Sequence, residues 1–289
     1  MHPALREAAR SEWGLMAFTT LLPTSIGITL VATIAGGPLW PAVLAVSVGA
    51  LGLLGSMGHL ARPVRSPFSV LNWRQSWLSR EILSAAAYWV LALGWMLAGW
   101  LLPGMALPLA LCALAMGGVL IWVIARSYRM QPRPAWDGPE GVAELVAVLL
   151  VAGVPAGMVS LVPVVERWIG WVGVVAVLAG LLLQYWAADH RLRRLAGLPA
   201  NTYNVAETIR RCQALRATGR VVTVLDGLAL LGALVAAAGP RGTQPWFWGV
   251  ALLAGLAAHL LARALFYAAP VQKRFVAKIR PPISREVVS

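Results

Sequence analysis

The segment from Ser56 to Ile82 contains several side chains that can exchange or hold protons. His59 ends one long hydrophobic run and Glu81 begins the next, with Arg65 and Asn72 between them. An imidazole and a carboxylate can accept protons, and an arginine can stabilise a negatively charged oxygen by charge-assisted hydrogen bonding. The segment therefore carries the groups needed to oxidise or reduce a quinol at one face of a membrane.

Long hydrophobic runs must position this segment. Of the 289 residues, 59% are hydrophobic and 12% are charged, whereas a soluble domain carries about 25% charged residues. Eight runs have the length of a helix that spans a bilayer. We therefore predict an all-α integral membrane protein, with a single polytopic domain over 1–289 and two four-helix bundles. The predicted transmembrane helices cover about 14–35, 39–60, 81–102, 105–126, 141–163, 168–188, 220–239 and 246–268.

Basic residues are concentrated on one side of the predicted topology. The net charge is +13, and all but three of the 24 lysine and arginine residues lie in the termini and in alternate connections. The exceptions are Arg167, Arg241 and Arg263. This asymmetry predicts that both termini lie in the cytoplasm, and we expect the membrane to be a bacterial inner membrane. It indicates contact with anionic lipid or a docked partner, and not with nucleic acid. Met1–Trp13 is interpreted as a cytoplasmic lead-in, not a cleaved signal peptide.

Further ionisable residues lie within the hydrophobic runs, where a charge is costly. Glu144, Asp226, His259 and Arg263 all fall toward the predicted cytoplasmic side. His259 and Arg263 are one turn apart and share a helix face. We expect Arg263 to reach the inner headgroups or to pair with Asp226 or Glu144, so that Asp226, His259 and Arg263 surround the site. His190 is expected to be solvated.

The chain contains two cysteines, Cys112 and Cys212. They are too few and too far apart in sequence for an iron–sulfur cluster or a zinc site, which need several ligands. We therefore expect no metal site and no cluster in this chain. If the protein handles electrons, another subunit or a bound cofactor must carry them onward.

At this point the chain resembles a known family, the DmsC-type membrane anchor subunits of dimethyl-sulfoxide-reductase-like molybdoenzymes. The eight runs match the layout of that family, and the more specific motifs lie mostly in the first third. The residues that carry the resemblance are Glu12-Trp13, Leu15-Met16, Phe18-Thr19, Ser56-Met57, His59-Leu60, Pro63, Arg65, Leu71-Asn72, Leu78-Ser79 and Glu81-Ile82, with Arg263 and Phe266-Tyr267 as a weaker match.

The resemblance implies a subunit without a redox centre of its own. Such an anchor binds a quinol, here menaquinol or ubiquinol, and holds an iron–sulfur subunit that passes electrons to a molybdopterin catalytic subunit. By motif, His59 and Glu81 become the quinol-site residues, with Arg65 and Asn72 as neighbours. His259 departs from the family pattern, because an acidic residue is expected one turn before the arginine. Sidedness departs as well, because well-known members hold their catalytic partners and the histidine at the outer face, whereas the arginine count here places His59 inside. Either this enzyme works toward the cytoplasm, as we expect, or the basic loops form an interface that overrides the orientation signal.

Three other functions fit parts of the sequence. A haem b anchor could use His59 and His259 as axial ligands, and a Soret band would reveal it. A polytopic transporter is suggested by Pro155 and the glycines at 153 and 157, which interrupt run five, and an uptake assay would test it. A purely structural anchor predicts that His59→Ala leaves quinol oxidation unchanged.

Overall fold

A computed structural model describes residues 10–36, 39–57, 72–129, 138–161, 166–197 and 216–268. Within these ranges the chain forms eight helices that are long and apolar enough to cross a membrane, which confirms the predicted all-helical fold. We number them α1 (Trp13–Ile34), α2 (Leu39–Met57), α3 (Trp77–Leu101), α4 (Pro103–Ser127), α5 (Glu140–Leu161), α6 (Arg167–Ala196), α7 (Arg216–Ala238) and α8 (Gln244–Ala268).

Local signals explain where several helices begin and end. Gly36 has a positive φ of 62° directly after α1, a conformation that glycine adopts without a steric penalty. The hydroxyl of Ser76 accepts the backbone N–H of Ser79 and caps the start of α3. Pro103 occupies the first turn of α4, where its missing N–H is not needed.

The connections differ between the two ends of the protein. At one end, α1, α3, α5 and α7 are each followed by only one to five residues before the next helix, such as the single residue Leu102 between α3 and α4. At the other end lie the starts of α1, α3, α5 and α7, the ends of α2, α4, α6 and α8, and the longer connections. We call this second end, with Trp13, Trp77, Ser127, Glu140 and Ala268, the polar end.

The helices pack as two sets of four. In the first set α1 contacts α2 and α4, and α3 contacts α2 and α4. In the second set α6 contacts α5 and α7, and α8 contacts α5 and α7. Helices α1 and α5 also contact each other, so they join the two sets. This arrangement agrees with the expected pair of four-helix bundles.

A buried tyrosine ties three helices of the first bundle together. Tyr88 of α3 is fully buried, and its hydroxyl lies 2.7 Å from the hydroxyl of Ser25 on α1. Ser25 in turn donates to the backbone carbonyl of Ala45 on α2, also at 2.7 Å. Because Ser25 has one proton to donate, Tyr88 is the donor in the first bond.

Helix α5 contains a π-helical segment, Leu149–Gly153, just before Pro155. Proline lacks an N–H, so it removes one hydrogen bond from the preceding turn. Glycines let other helices approach this segment closely. A Cβ on Gly27 of α1 would lie 2.3 Å from the Leu149 carbonyl oxygen, and one on Gly255 of α8 would lie 2.6 Å from that of Val151. The π-helical segment of α5, which interrupts the fifth hydrophobic run, is therefore a point of close helix packing between the bundles.

Three predicted boundaries were wrong by more than a turn of helix. Helix α3 begins at Trp77, not 81, α6 continues to Ala196, not 188, and α7 begins at Arg216, not 220. The hydrophobic pattern stops at the first charges, but the helix does not. On α6, Asp189 and Arg193 form an ion pair one turn apart, which supports the helix beyond the apolar run.

Candidate functional site

Glu81 is a buried carboxylate at the polar end. It lies in the second turn of α3, with 6% of its surface exposed. The hydroxyl of Ser127, the last residue of α4, donates to Glu81 Oε2 at 2.5 Å. The two helices thus hold the carboxylate in one orientation through a charge-assisted hydrogen bond.

The other three predicted quinol-site residues are placed differently. His59 and Arg65 lie outside the described residues. Asn72 is exposed in the turn before α3, where its backbone carbonyl accepts the N–H groups of Gln75 and Ser76, each at 3.1 Å. Through these backbone hydrogen bonds, Asn72 shapes the turn that leads into α3, the helix that carries Glu81.

A pair of tyrosines lies beside Glu81. The hydroxyl of Tyr267 on α8 donates to that of Tyr128, the residue after Ser127, at 2.9 Å. Both rings also pack against Phe266. Burial is the main cause that raises the pKa of Tyr128 well above its usual value, and Tyr267 and Glu81 raise it further. Tyr128 therefore remains a neutral hydroxyl that can form hydrogen bonds, rather than a base.

Two carboxylates on α5 bind the basic residues of α6. Glu140 is almost fully buried, and its Oε1 lies 2.8 Å from His190 Nδ1 and 3.0 Å from Arg194 Nε. One turn later, Glu144 Oε1 lies 2.5 Å from Arg191 Nη2. These contacts fasten the polar ends of α5 and α6 to each other.

Helix α8 joins the same network through Arg263. Its Nη1 lies 3.5 Å from Glu144 Oε2, and its Nε donates to His259 Nε2 at 3.3 Å. The guanidinium groups of Arg191 and Arg263 both lie against the ring of Phe266, at 4.9 and 5.2 Å from its centroid. Arg263 therefore pairs with Glu144, one of its two predicted partners.

Asp226, the alternative partner, lies elsewhere. It is 3% exposed, and its Oδ2 accepts a hydrogen bond from Gln184 Nε2 of α6 at 3.2 Å. In the part of the chain that the structure describes, no ion pair involves Asp226. Asp226, His259 and Arg263 thus belong to the second bundle, while Glu81 belongs to the first.

A small cavity lies where the bundles meet at the polar end. Thr19, Tyr128, Glu140, Arg191 and Arg263 are among its lining residues, and its volume is about 10 Å³. That volume admits roughly one water molecule. The cavity connects the surroundings of the tyrosine pair with the carboxylate network, but it is far smaller than a quinone ring.

Several site residues were not found from the sequence. Ser127, Tyr128, Glu140 and Arg191 carry much of the network, yet only the spacing of Glu140 and Glu144 gave a usable signal, since residues four apart share a helix face. His190 keeps 41% of its side chain exposed, in line with the prediction that it is solvated. It lies within α6 and not in a loop, however, and it binds Glu140 and stacks on Trp186 with ring centroids 5.1 Å apart.

Among the described residues, no group of three or more His, Cys, Asp or Glu side chains is placed to hold a metal ion. Comparison with curated proteins and with solved structures finds no significant match. A family model does match, over residues 7–269, and its description is DMSO reductase anchor subunit (DmsC). With the eight membrane-spanning helices, this match shows that the chain belongs to the DmsC family of multi-pass membrane anchor subunits of DMSO-reductase-like enzymes.

Proposed function

We propose that this anchor subunit oxidises a quinol at its polar end, beside Glu81. The electrons pass to an iron–sulfur subunit, which delivers them to a molybdopterin catalytic subunit. The observation that carries the proposal is the buried carboxylate of Glu81, held by Ser127 next to the Tyr128–Tyr267 pair. Burying a carboxylate at a membrane face is energetically costly, and proton transfer to or from a substrate is a function that explains its presence.

The chemistry assigns a role to each of these residues. Oxidation of a quinol to a quinone releases two electrons and two protons, as both hydroxyl O–H bonds break. Glu81 accepts one proton, and Ser127 keeps its carboxylate oriented toward the substrate oxygen. Tyr128 offers a neutral hydroxyl nearby. From the sequence, His59 is the second proton acceptor, and Arg65 stabilises the substrate oxygen.

The proposed site lies on the cytoplasmic side of a bacterial inner membrane, with both termini in the cytoplasm. The support is the positive-inside rule, since of the 24 lysine and arginine residues in the sequence only Arg167 and Arg241 belong to the connections of the opposite end. A C-terminal alkaline phosphatase fusion tests this orientation. Low phosphatase activity is expected, and strong activity would contradict it.

Substitution of Glu81 in a co-expressed complex tests the function. Glu81→Gln keeps the shape of the side chain but removes its ability to take up a proton. We expect quinol-dependent reductase activity to fall, while activity driven by a reduced viologen, which donates directly to the partner subunits, stays normal. His59→Ala should behave in the same way.

Glu166→Gln provides the matched control. Glu166 lies before α6 at the opposite end, is exposed, and binds the indole N–H of Trp168. The same chemical change there should leave both activities unchanged. Normal quinol turnover in both Glu81→Gln and His59→Ala would refute the proposed site and favour a purely structural anchor.

A further inference from the structure

A second cavity lies inside the second bundle, between α5, α6 and α8. Its volume is about 20 Å³, and Glu144, Gln184 and His259 complete its polar wall. Arg263 and Phe266 line both cavities. A polar cavity of this size holds an ordered water when two to four hydrogen-bonding partners face it.

Buried polar atoms without a hydrogen-bond partner surround this cavity. Among the described residues they include Arg263 Nη2 and Gln184 Oε1, and Glu144 Oε2 has no hydrogen bond beside its 3.5 Å ion-pair contact with Arg263 Nη1. Arg263 is 4% exposed, so bulk water does not reach its side chain freely. A buried donor or acceptor that is left unpaired destabilises the folded protein. Water in the cavity would supply the missing hydrogen-bond partners.

Asp226 extends the polar network toward the middle of the membrane. Its Oδ2 accepts from Gln184, while its Oδ1 is buried and has no hydrogen-bond partner among the described residues. Asp226 is ten residues from the start of α7, or about 15 Å along the helix axis. Beyond Asp226, α7 contains only apolar residues and glycines. The network therefore begins at the polar end and stops at this carboxyl group.

An ionised Asp226 would be poorly solvated in this position. No described cation pairs with it, and one oxygen lacks a donor. The charged groups that face the cavity are Glu144 and Arg263, which already pair with each other, and His259 accepts from Arg263. A protonated Asp226 carboxyl needs no counterion, and its O–H can donate to a nearby acceptor.

We propose that this cluster is an internal water and proton site, in which water held by Arg263, Glu144 and Gln184 is linked to Asp226 through the hydrogen bond that Gln184 donates to its carboxyl group. When a proton arrives, an O–H bond breaks in a hydrated proton and one forms on Asp226; release reverses both changes. The site is distinct from Glu81 and exists whether or not quinol binds there. Its use in removing quinol protons rests on the proposed function.

Infrared spectroscopy of the full-length chain in lipid vesicles tests the site directly. A protonated carboxyl gives a C=O stretching band that shifts when its proton exchanges for deuterium. We expect such a band in the wild-type protein, a shift in D₂O, and loss of the band in Asp226→Asn. Asp189→Asn is the matched control, because Asp189 is exposed on α6, and it should retain the band.

Asp226→Glu keeps the test valid if Asp226→Asn does not fold, since a glutamic acid should change the frequency of the band without removing it. If no C=O band both depends on residue 226 and shifts in D₂O, the proposal is overturned; a band from Glu81 is recognised because it persists in Asp226→Asn. In the assembled complex, Asp226→Asn should lower kcat with quinol and leave both KM and viologen-driven activity unchanged. An unchanged kcat would refute the role of Asp226 in removing quinol protons. If the wild-type complex itself showed no quinol-dependent activity, that result would refute only the proposed function.

Discussion

The crossing of α1 and α5 offers the sharpest test of the packing. A Cβ on Gly27 would lie 2.3 Å from the Leu149 carbonyl oxygen and 2.7 Å from Gly153 Cα. Ordinary contacts of a Cβ atom begin near 3.4 Å. For Gly27→Ala, the two helices must therefore separate by about 1 Å, because both close neighbours are backbone atoms that cannot rotate away.

The expected cost follows from this displacement. Overpacking a well-packed interior costs about 1–3 kcal/mol, and two rigid backbones place Gly27→Ala at the upper end of that range. About 3 kcal/mol corresponds to a more than hundredfold change in the ratio of folded to unfolded protein. The higher helix propensity of alanine offsets at most about 1 kcal/mol of this loss in a soluble helix.

Denaturant titration of the purified chain in mixed micelles measures the effect. Gly118→Ala is the matched control, since it lies within α4 and a Cβ there meets nothing within 4 Å. We expect Gly27→Ala to unfold at clearly lower denaturant than wild type, and Gly118→Ala to unfold at the same concentration or above. Equal midpoints for the two variants would refute the close approach of the helices.

Three further substitutions test individual contacts. Tyr88→Phe removes the hydroxyl that binds Ser25 and should destabilise the first bundle by about 1 kcal/mol in the same titration; an unchanged midpoint would show that the bond contributes nothing. Ser127→Ala removes the 2.5 Å hydrogen bond to Glu81, so quinol-dependent turnover should fall while viologen-driven turnover does not, and equal loss of both would indicate faulty assembly instead. Glu144→Gln leaves two guanidinium groups without their counterion and should cost about 3 kcal/mol, a prediction that wild-type stability would contradict.

The sequence predicted the membrane-spanning helices well, because a span is set by length and hydrophobicity alone. It could not predict where helices continue past the apolar run. The last turns of α6 carry Asp189, His190, Arg193 and Arg194, which hydropathy assigns to a loop. In the folded protein, Glu140 and the neighbouring charges pair with these residues and keep them helical.

The candidate site was predicted only in part. Glu81 was found because the sequence places it with His59 at one predicted membrane face, within the motif that carries the family resemblance. Ser127 and Tyr128 gave no such signal, since their importance depends on the approach of α4 and α8 to α3. The sequence offered two acidic partners for Arg263, Asp226 and Glu144, beside the lipid headgroups. Choosing Glu144 required knowledge of how the helices face one another.

The π-helical segment of α5 has a consequence for the rotational phase of that helix. A π turn inserts one residue relative to an α-helix, and each α-helical residue turns by about 100° around the axis. The C-terminal half of α5 is fixed by Gly153, packed against α1. If Leu149–Gly153 were regular α-helix, Glu140 and Glu144 would be rotated by about that angle, away from Arg194 and Arg263. One extra residue near the membrane centre thus turns both carboxylates toward the arginines of α6 and α8.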